Sequence, residues 1–311
     1  MTDPVVLLIF VSTKNKFTMR TLMFLAMLLF PALLVPAYAQ DYAPSDTVPK
    51  ELSVVIKNDG TEFVGVILKQ DAREVLIRTE KTGEVVIPKH EIKDIKKVQQ
   101  GNLTSSGAYI PEEIFATRYF ITTNGLPLNK DDSYIIWNLY GPDFQFSLGN
   151  HFTAGMMSSW VGIPIIGTFK YATTVSPNVH LGVGTLLGTG SWIKPDFLAG
   201  LPFGTIPLGN RRSNISFSTG YAFYTYEKES DGRALVSVAG MAKVSPKVSL
   251  VLDSFILIGQ SELFGNGALF IPGVRWATSK GSAFQLGFAG LVVEGEPQAI
   301  AIPMIQWFRQ L

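Results

Sequence analysis

The side chains that carry most enzyme chemistry are scarce in this sequence. Cysteine is absent, which removes thiol nucleophiles, disulfides and cysteine-ligated metals. Histidine occurs only as His90, His151 and His180. A nucleophile, a base and an orienting carboxylate must touch one another to act together. His90 lies between Lys89 and Glu91 in a charged stretch and reads as a solvated residue. His151 and His180 each follow a short turn, and no serine and acid join either of them at one strand end. No catalytic residue is assigned, and the chain is not expected to be an enzyme. No His/Asp/Glu spacing suggests a metal site. Gly182-Val183-Gly184 lies in a strand pattern with no helix after it, unlike a phosphate loop. Neither a metal nor a cofactor is expected. What remains is a set of charges in apolar surroundings: Asp253, Arg275, Arg118 and Lys170. A buried charge is costly alone and tolerable when paired. These residues therefore read as an interior ion-pair network, or alternatively as a selectivity element in a small pore.

The surroundings that must position them are unusual. The 311 residues are 47% hydrophobic and include 29 glycines, but only 16% are charged, against about 25% in a typical soluble domain. The net charge of +1 gives no field that would attract a polyanion, so no nucleic-acid partner is expected. The charges are also unevenly spread. Residues 50–98 hold 10 Lys/Arg and 9 Asp/Glu, and the remaining 262 residues hold the other 32. The boundary at residue 98 separates a segment suited to water from one that is not.

The chain opens with an export signal. Residues 21–35 form an apolar run preceded by Lys14, Lys16 and Arg20 and followed by Pro36-Ala37-Tyr38-Ala39. A basic start, a short apolar stretch and small residues at a cleavage step describe a secretory signal peptide over residues 1–39. The run is shorter than the roughly 20 residues of a spanning helix. Its basic lead-in is too long if translation begins at Met1, so Met19 is the better start. Residues 40–49 then form a short linker.

Residues 50–98 read as five short strands. Asn58-Asp59-Gly60 is a hairpin turn, because these residues tolerate positive φ. Further turns fall at Asp71-Ala72-Arg73 and Lys81-Thr82-Gly83. Five strands in so short a span predict a small barrel of the SH3 or Sm type. Its expected role is to contact a protein in the periplasm or to act as a spacer. Residues 99–114 read as a linker.

Residues 115–311 alternate in the manner of a membrane barrel. Successive strand side chains point to opposite faces, one toward lipid and one toward the lumen. Ile215, Phe217, Thr219, Tyr221 and Phe223 alternate with Ser216, Ser218, Gly220, Ala222 and Tyr224. Val179, Leu181 and Val183 alternate with His180, Gly182 and Gly184, and Phe284, Leu286 and Phe288 with Gln285, Gly287 and Ala289. Val175-Ser176-Pro177-Asn178-Val179 and Val244-Ser245-Pro246-Lys247-Val248 are near-copies that open such strands. Longer outward loops are expected at residues 191–195, 228–233, 259–266 and 294–298. Trp137, Tyr140, Trp160, Trp192, Tyr226, Trp276, Trp307 and Phe308 fall near strand ends, where aromatic residues suit a membrane interface. Gly141-Pro142 reads as a bulge or an edge within an early strand. At about 9–11 residues per strand, the length fits ten to twelve crossings, with ten favoured. The predicted fold is all-β: an antiparallel transmembrane β-barrel of about 10–12 strands after a small SH3/Sm-like barrel.

Several stretches carry a resemblance to known proteins. They are Ala116-Thr117-Arg118-Tyr119-Phe120, Asn124-Gly125-Leu126-Pro127-Leu128-Asn129-Lys130, Tyr134-Ile135-Ile136-Trp137-Asn138 and the ten residues from Val175. They resemble a Bacteroidetes family of uncharacterised outer-membrane β-barrel proteins. The module's Asp59–Leu68 and Glu84–Ile95 stretches resemble Sm-like N-terminal modules of envelope proteins from the same phylum. The resemblance implies a Gram-negative outer-membrane location with the module in the periplasm, and no known reaction. The expected partners are outer-membrane lipid and a periplasmic protein held by residues 50–98. The expected role is structural or interactive, with a narrow, side-chain-filled lumen. A barrel that transports or binds a small or lipidic ligand, or a lipid-modifying enzyme at the rim, are the alternatives. If the signal is read correctly, a chain starting at Met19 is exported as well as one starting at Met1; loss of export on that truncation, scored by fractionation, would refute the reading.

Overall fold

In the computed structural model, residues 51–311 are described apart from 99–101, 105–106, 131, 191–196, 228, 259–266, 280 and 294–295. The signal peptide and the 40–49 linker lie outside the described residues. Strands β1 (Leu52–Lys57), β2 (Glu62–Gln70), β3 (Glu74–Thr79), β4 (Gly83–Pro88) and β5 (Ile92–Lys97) form one antiparallel sheet in the order β4-β3-β2-β1-β5. Its turns are those the residue types require. Gly60 has φ +87°, and the Asp59 carboxylate accepts the Thr61 N–H at 2.8 Å. The Asp71 carboxylate accepts the N–H groups of Arg73 and Glu74, which hold its pKa down to about 2. Val55, Val75, Ile77 and Ile87 alternate inward from their strands and form the core.

The linker is anchored at both ends. Tyr109 is buried with Val54 and Val98 on the module. The Arg212 guanidinium lies 5.7 Å from the Tyr109 ring centroid and donates to the Tyr109 hydroxyl and the Ile110 carbonyl, both at 2.9 Å.

Twelve further strands close into a barrel. They are β6 (Tyr134–Asn138), β7 (Pro142–Ser147), β8 (Phe152–Ser158), β9 (Ile165–Ser176), β10 (Val179–Thr189) and β11 (Phe197–Gly209). They continue with β12 (Ser213–Tyr226), β13 (Glu229–Lys243), β14 (Val248–Ile258), β15 (Gly267–Ser279), β16 (Ser282–Val293) and β17 (Glu296–Gln310). Each pairs antiparallel with the next, and β17 pairs with β6 to complete the ring. The count is twelve rather than the favoured ten because β6, β7 and β8 have only 5, 6 and 7 residues. Gly141-Pro142 is not a bulge inside a longer strand: Asn138 and Gly141 bond to each other across the Leu139-Tyr140 turn, and Pro142 opens β7 opposite Trp137.

The alternation resolves into two faces. Phe217, Tyr221, Leu181, Val183 and Phe288 are exposed on the outer surface, while Ser216, His180, Gly182 and Gln285 are buried inside. Two expected loops are strand instead. Glu229 already pairs with Tyr226, and Glu296 with Val293, so backbone hydrogen bonding carries both hairpins beyond the apolar pattern. The loops at 191–195 and 259–266, and Trp192, lie outside the described residues. Trp137, Tyr140, Trp160, Tyr226, Trp276 and Trp307 are exposed as expected. Phe308 is not: it is fully buried inside, with its ring centroid 5.1 Å from that of Phe115.

The module core generates a stability test. Replacing Ile77 by Ala leaves a cavity and should cost about 2–5 kcal/mol. Denaturant unfolding should show the loss as an earlier transition of the module, while the barrel keeps its resistance to detergent.

Candidate functional site

Residues 113–128 supply no strand to the wall, yet they are among the most completely buried of the described chain. Phe115, Ala116, Thr117, Tyr119, Phe120 and Asn124 are essentially inaccessible, and Leu126 and Leu128 nearly so. Their polar partners lie on β7, β9, β12, β14, β15, β16 and β17. So short a segment can reach that many strands of a closed ring only from inside it. The stretch from Phe115 that the composition groups with the barrel is therefore its filling, and the wall begins at Tyr134.

A peptide without a strand ladder must satisfy its N–H and C=O groups in some other way when water is excluded. The lumen charges do this. Asp253, fully buried on β14, accepts the backbone N–H groups of Phe120, Ile121 and Thr122 at 3.1, 2.7 and 2.8 Å, and the Thr122 hydroxyl at 2.6 Å. Arg275, fully buried on β15, donates to the carbonyls of Phe115 at 2.8 Å, Arg118 at 2.6 Å and Tyr119 at 3.4 Å. Its Nε donates to the Gln285 side chain at 2.6 Å, and its guanidinium lies 4.5 Å from the Phe308 ring centroid. A carboxylate is an acceptor only and a guanidinium a donor only, so the two divide the segment's groups between them.

Neutral amides extend the set. Gln285 donates to the Tyr119 carbonyl at 3.1 Å and to Gln306 at 2.8 Å. Gln306 donates to the Phe120 carbonyl at 2.7 Å and to the Asn138 side chain at 2.6 Å. Lys170 on β9 donates to the Thr123 hydroxyl at 2.8 Å and the Asn124 carbonyl at 2.9 Å. Arg118 is the one predicted lumen charge that belongs to the segment itself. It forms a buried ion pair at 2.8 Å with Asp143 on β7. The structure thus brings all four predicted residues into one lumen but does not pair them with one another. Three of them bind backbone, and the fourth pairs with Asp143, an acid that was not among the residues singled out from the sequence.

Space inside the ring is made by glycine. A Cβ at Gly273 or at Gly287 would lie 2.4 Å from the Phe120 ring, so these two wall positions form the socket for it. Gly125 and Gly182 meet backbone to backbone, and a Cβ on Gly125 would lie 2.6 Å from the Gly182 nitrogen. At the end with the short turns, Arg211 donates to the carbonyls of Ile114 at 2.8 Å and Pro127 at 3.3 Å, and pairs with Asp132 at 2.9 Å. Glu113 pairs with Lys243 at 3.1 Å and accepts the Ser249 hydroxyl at 2.8 Å. Burial opposes the charge on Glu113, but Arg275, Lys243 and Ser249 outweigh it and hold the carboxyl below its ordinary value of 4.5. A depressed carboxyl stabilises the fold at pH values above that ordinary value, and the contribution is lost as pH falls through the lowered one.

The three histidines sit in separate surroundings. His180 is within hydrogen-bond distance of the Thr174 hydroxyl and the Gly209 carbonyl, His151 of the Ala172 carbonyl, and His90 is exposed on the module. No group of metal-ligating side chains is present among the described residues.

Substituting Asp253 by Asn removes the charge that three amides share. Hydrogen bonds to a charged group contribute about 1.5–3 kcal/mol, so amide exchange at Phe120, Ile121 and Thr122 should accelerate roughly tenfold to a hundredfold. Unchanged exchange at these three positions would show that the carboxylate does not hold them.

Neither a family model nor a curated protein matches the sequence. Among solved structures, the NanC porin aligns with a TM-score of 0.42 at 8% identity, over 58% of this chain and 98% of that one. The outer-membrane expressed OmpT of Vibrio cholerae aligns with a TM-score of 0.36 at 13% identity, over 84% of this chain and 95% of that one. Overlaps this loose leave the account of this chain to its own residues.

Proposed function

We propose that this chain is an outer-membrane β-barrel protein whose lumen is closed by its own residues 113–128, and that it acts as a non-conducting membrane scaffold for interactions made by its N-terminal module. The observation that carries the reading is the inversion of polarity across the wall, with a chain segment inside. Large apolar side chains are exposed on the outer face of strand after strand, among them Phe152, Phe169, Val183, Ile206, Phe217, Ile256, Phe270, Phe288 and Ile305. The inner face near the segment holds Asp143, Lys170, Asp253, Arg275, Gln285 and Gln306. Such a surface suits hydrocarbon, and a closed ring leaves no strand ladder open except at its rims. No helix of the described residues is long and apolar enough to cross a membrane, which does not bear on crossing by strands.

The strand ends orient the barrel. Tyr134 opens β6 and Gln310 closes β17 as register partners, so both chain ends of the barrel lie at the end with the short turns. An exported chain that enters from the periplasm keeps that end, and the five-stranded module with it, on the periplasmic side. The module's strand order and its short 3-10 turn before β5 favour the SH3/Sm-like reading, and its balanced charge favours a protein partner over RNA. The Bacteroidetes family resemblance belongs to the same proposal. No catalytic role is assigned.

Planar-bilayer recording tests the closed lumen. The protein should insert without stable conductance steps, and the Asp253→Ala/Arg275→Ala double variant, with the segment loosened, should show transient openings. Steady open-channel steps in the unaltered protein would overturn the closed-barrel reading. Recovery of the protein in the soluble periplasmic fraction, without a mobility change on heating in detergent, would overturn the membrane placement.

A further inference from the structure

The wall of the barrel is much lower on one side. β9 to β17 have 11–15 residues each, but β6, β7 and β8 have 5–7. A tilted strand needs about 9–11 residues to cross hydrocarbon, so the short strands cannot span it. On the β17 side the lower ends are level, since Tyr134 pairs with Gln310, so the shortfall there lies at the upper rim. On the β9 side the upper ends are level, Ser158 pairing with Ile165, and β9 runs on to Ser176 below the Phe152–Tyr171 pair. Pairing of β17 with β6 stops at Gln306 and Asn138. Above that point the edge of β17 that faces β6 has no partner strand among the described residues, apart from the Leu139 N–H donated to the Ile305 carbonyl at 3.3 Å. That bond fixes which edge is open: Pro303, two residues on, turns its backbone nitrogen to the same edge, where it has no N–H to leave unpaired. The strand is thus built to end its pairing here rather than to accept another strand.

The lumen behind this notch is apolar. Above the 113–128 segment, the inward positions include Leu201, Phe203, Leu235, Phe255, Leu269 and Leu291, all only partly buried. Asp231 and Arg233 stand on β13 closer to the rim. Ile302, on the inward face beside the notch as the pair of Ala289, is 46% exposed. Below, the Phe120 ring and the amides around it form a floor. On the outer face, Trp137 pairs with Trp307, stacks on Trp160 with centroids 5.9 Å apart, and Trp160 donates to the Leu139 carbonyl. Aromatic side chains of this kind mark the interface, and here they mark it at the top of the short strands.

Resting on the membrane placement proposed above, we infer that the notch over β6–β8 is a lateral gateway through which one acyl chain of a membrane phospholipid enters the apolar upper lumen. The bilayer surface dips where the wall is low, as a short hydrophobic span requires. The ester region of the lipid then meets the open edge of β17, whose remaining N–H groups lack a strand partner. The tail meets Leu235, Phe255 and their neighbours and ends above the 113–128 segment. Among the described residues, the wall between the lipid-facing belt and the apolar lumen is lowest at this gap, which favours a membrane lipid over a ligand arriving from water.

Photo-crosslinking tests the gateway. A benzophenone side chain is placed at Leu235 (inward, above the floor), at Val236 (outward) or at Ser216 (inward, behind the segment), and each variant is reconstituted in phospholipid vesicles labelled in both acyl chains. Such lipids do not leave the bilayer, so label can reach the lumen only sideways. The expected result is strong labelling at Val236, clear labelling at Leu235 and loss of labelling at Ser216. Labelling at Val236 alone overturns the gateway and leaves the membrane placement standing; labelling at none of the three overturns both. If the Leu235 variant does not show the mobility shift of a folded barrel, Leu257, its register partner, carries the probe instead. Native mass spectrometry of the unaltered protein from nanodiscs should retain one phospholipid after the annular lipid is stripped, and its absence counts against the gateway.

Discussion

A stretch of polypeptide that forms no ladder cannot be sealed inside a protein unless other groups take its hydrogen bonds. That constraint governs the lower half of this barrel. Sixteen residues, 113–128, enter the ring, and most of them are buried. Two fully buried side chains of opposite kind answer their backbone groups: Asp253 collects three consecutive N–H groups, and Arg275 spreads over three carbonyls. Each charge is in turn surrounded by dipoles pointing the right way, which is what makes a charge tolerable at full burial. A hydrophobic pair of the same volume at 253 and 275 would fill the space and strip the N–H groups of Phe120, Ile121 and Thr122 and the Arg118 carbonyl of these partners.

The packing follows from the same arrangement. The aromatic rings of the segment need depth in the wall, and glycine supplies it at 273 and 287 for Phe120. Phe115 packs on Phe308 and edge-on to Tyr134, so the last and first strands of the ring are joined through the segment as well as by their own pairing. That seam pairs over only five register positions, Gln306 to Gln310. Asn138, Gln306 and Gln285 add a chain of amide hydrogen bonds across it from inside. Cooperative amide chains of this sort strengthen in a low-dielectric interior.

Much of this was legible in the sequence, and the rest was hidden for identifiable reasons. The alternation of Phe217, Ser218, Thr219, Gly220 and Tyr221 specifies a strand with one bulky face, and the ring follows once such strands recur. Asp253 and Arg275 announce themselves because a charge on the small-residue face of an apolar strand needs a partner. The identity of the partner was not legible: backbone carbonyls and N–H groups leave no mark on composition, so wall charges were expected to pair with each other. Residues 115–130 carry the distinctive Tyr119-Phe120 and Asn124-Gly125 pairs, yet their apolar content matches the strands on either side, and nothing local separates a segment inside a ring from a strand of it. Phe308 was misplaced for a related reason. Its position near a chain end suggests an interface, but parity with Gln306 puts it in the lumen. Twelve strands fall within the expected ten to twelve, but the preference for ten missed the short strands, because dividing a length by a mean strand assumes that the wall has even height.

The segment and the low side of the wall belong to one design. β6–β8 are too short to hold their side of a ring by ladder bonds alone, and the segment braces this side as well as the tall strands that Asp253 and Arg275 tie it to. Arg118 pairs with Asp143 on β7, whose other oxygen accepts from Gln145 at 2.6 Å, while Lys170 ties the Thr123–Asn124 turn to β9. The segment also runs straight into β6, so leaving the lumen would pull on the first strand and break a buried ion pair beside it. Breaking such a pair by losing one partner costs about 3–5 kcal/mol, a large fraction of the stability of an ordinary domain. A removable cork would be linked by a slack tether. This one is tied to the tall strands through Asp253 and Arg275, and to the low side of the wall through Arg118, on a short connection. It is better understood as the inner half of that wall: it lets three short strands stand in place of tall ones and so leaves the upper lumen open to one side.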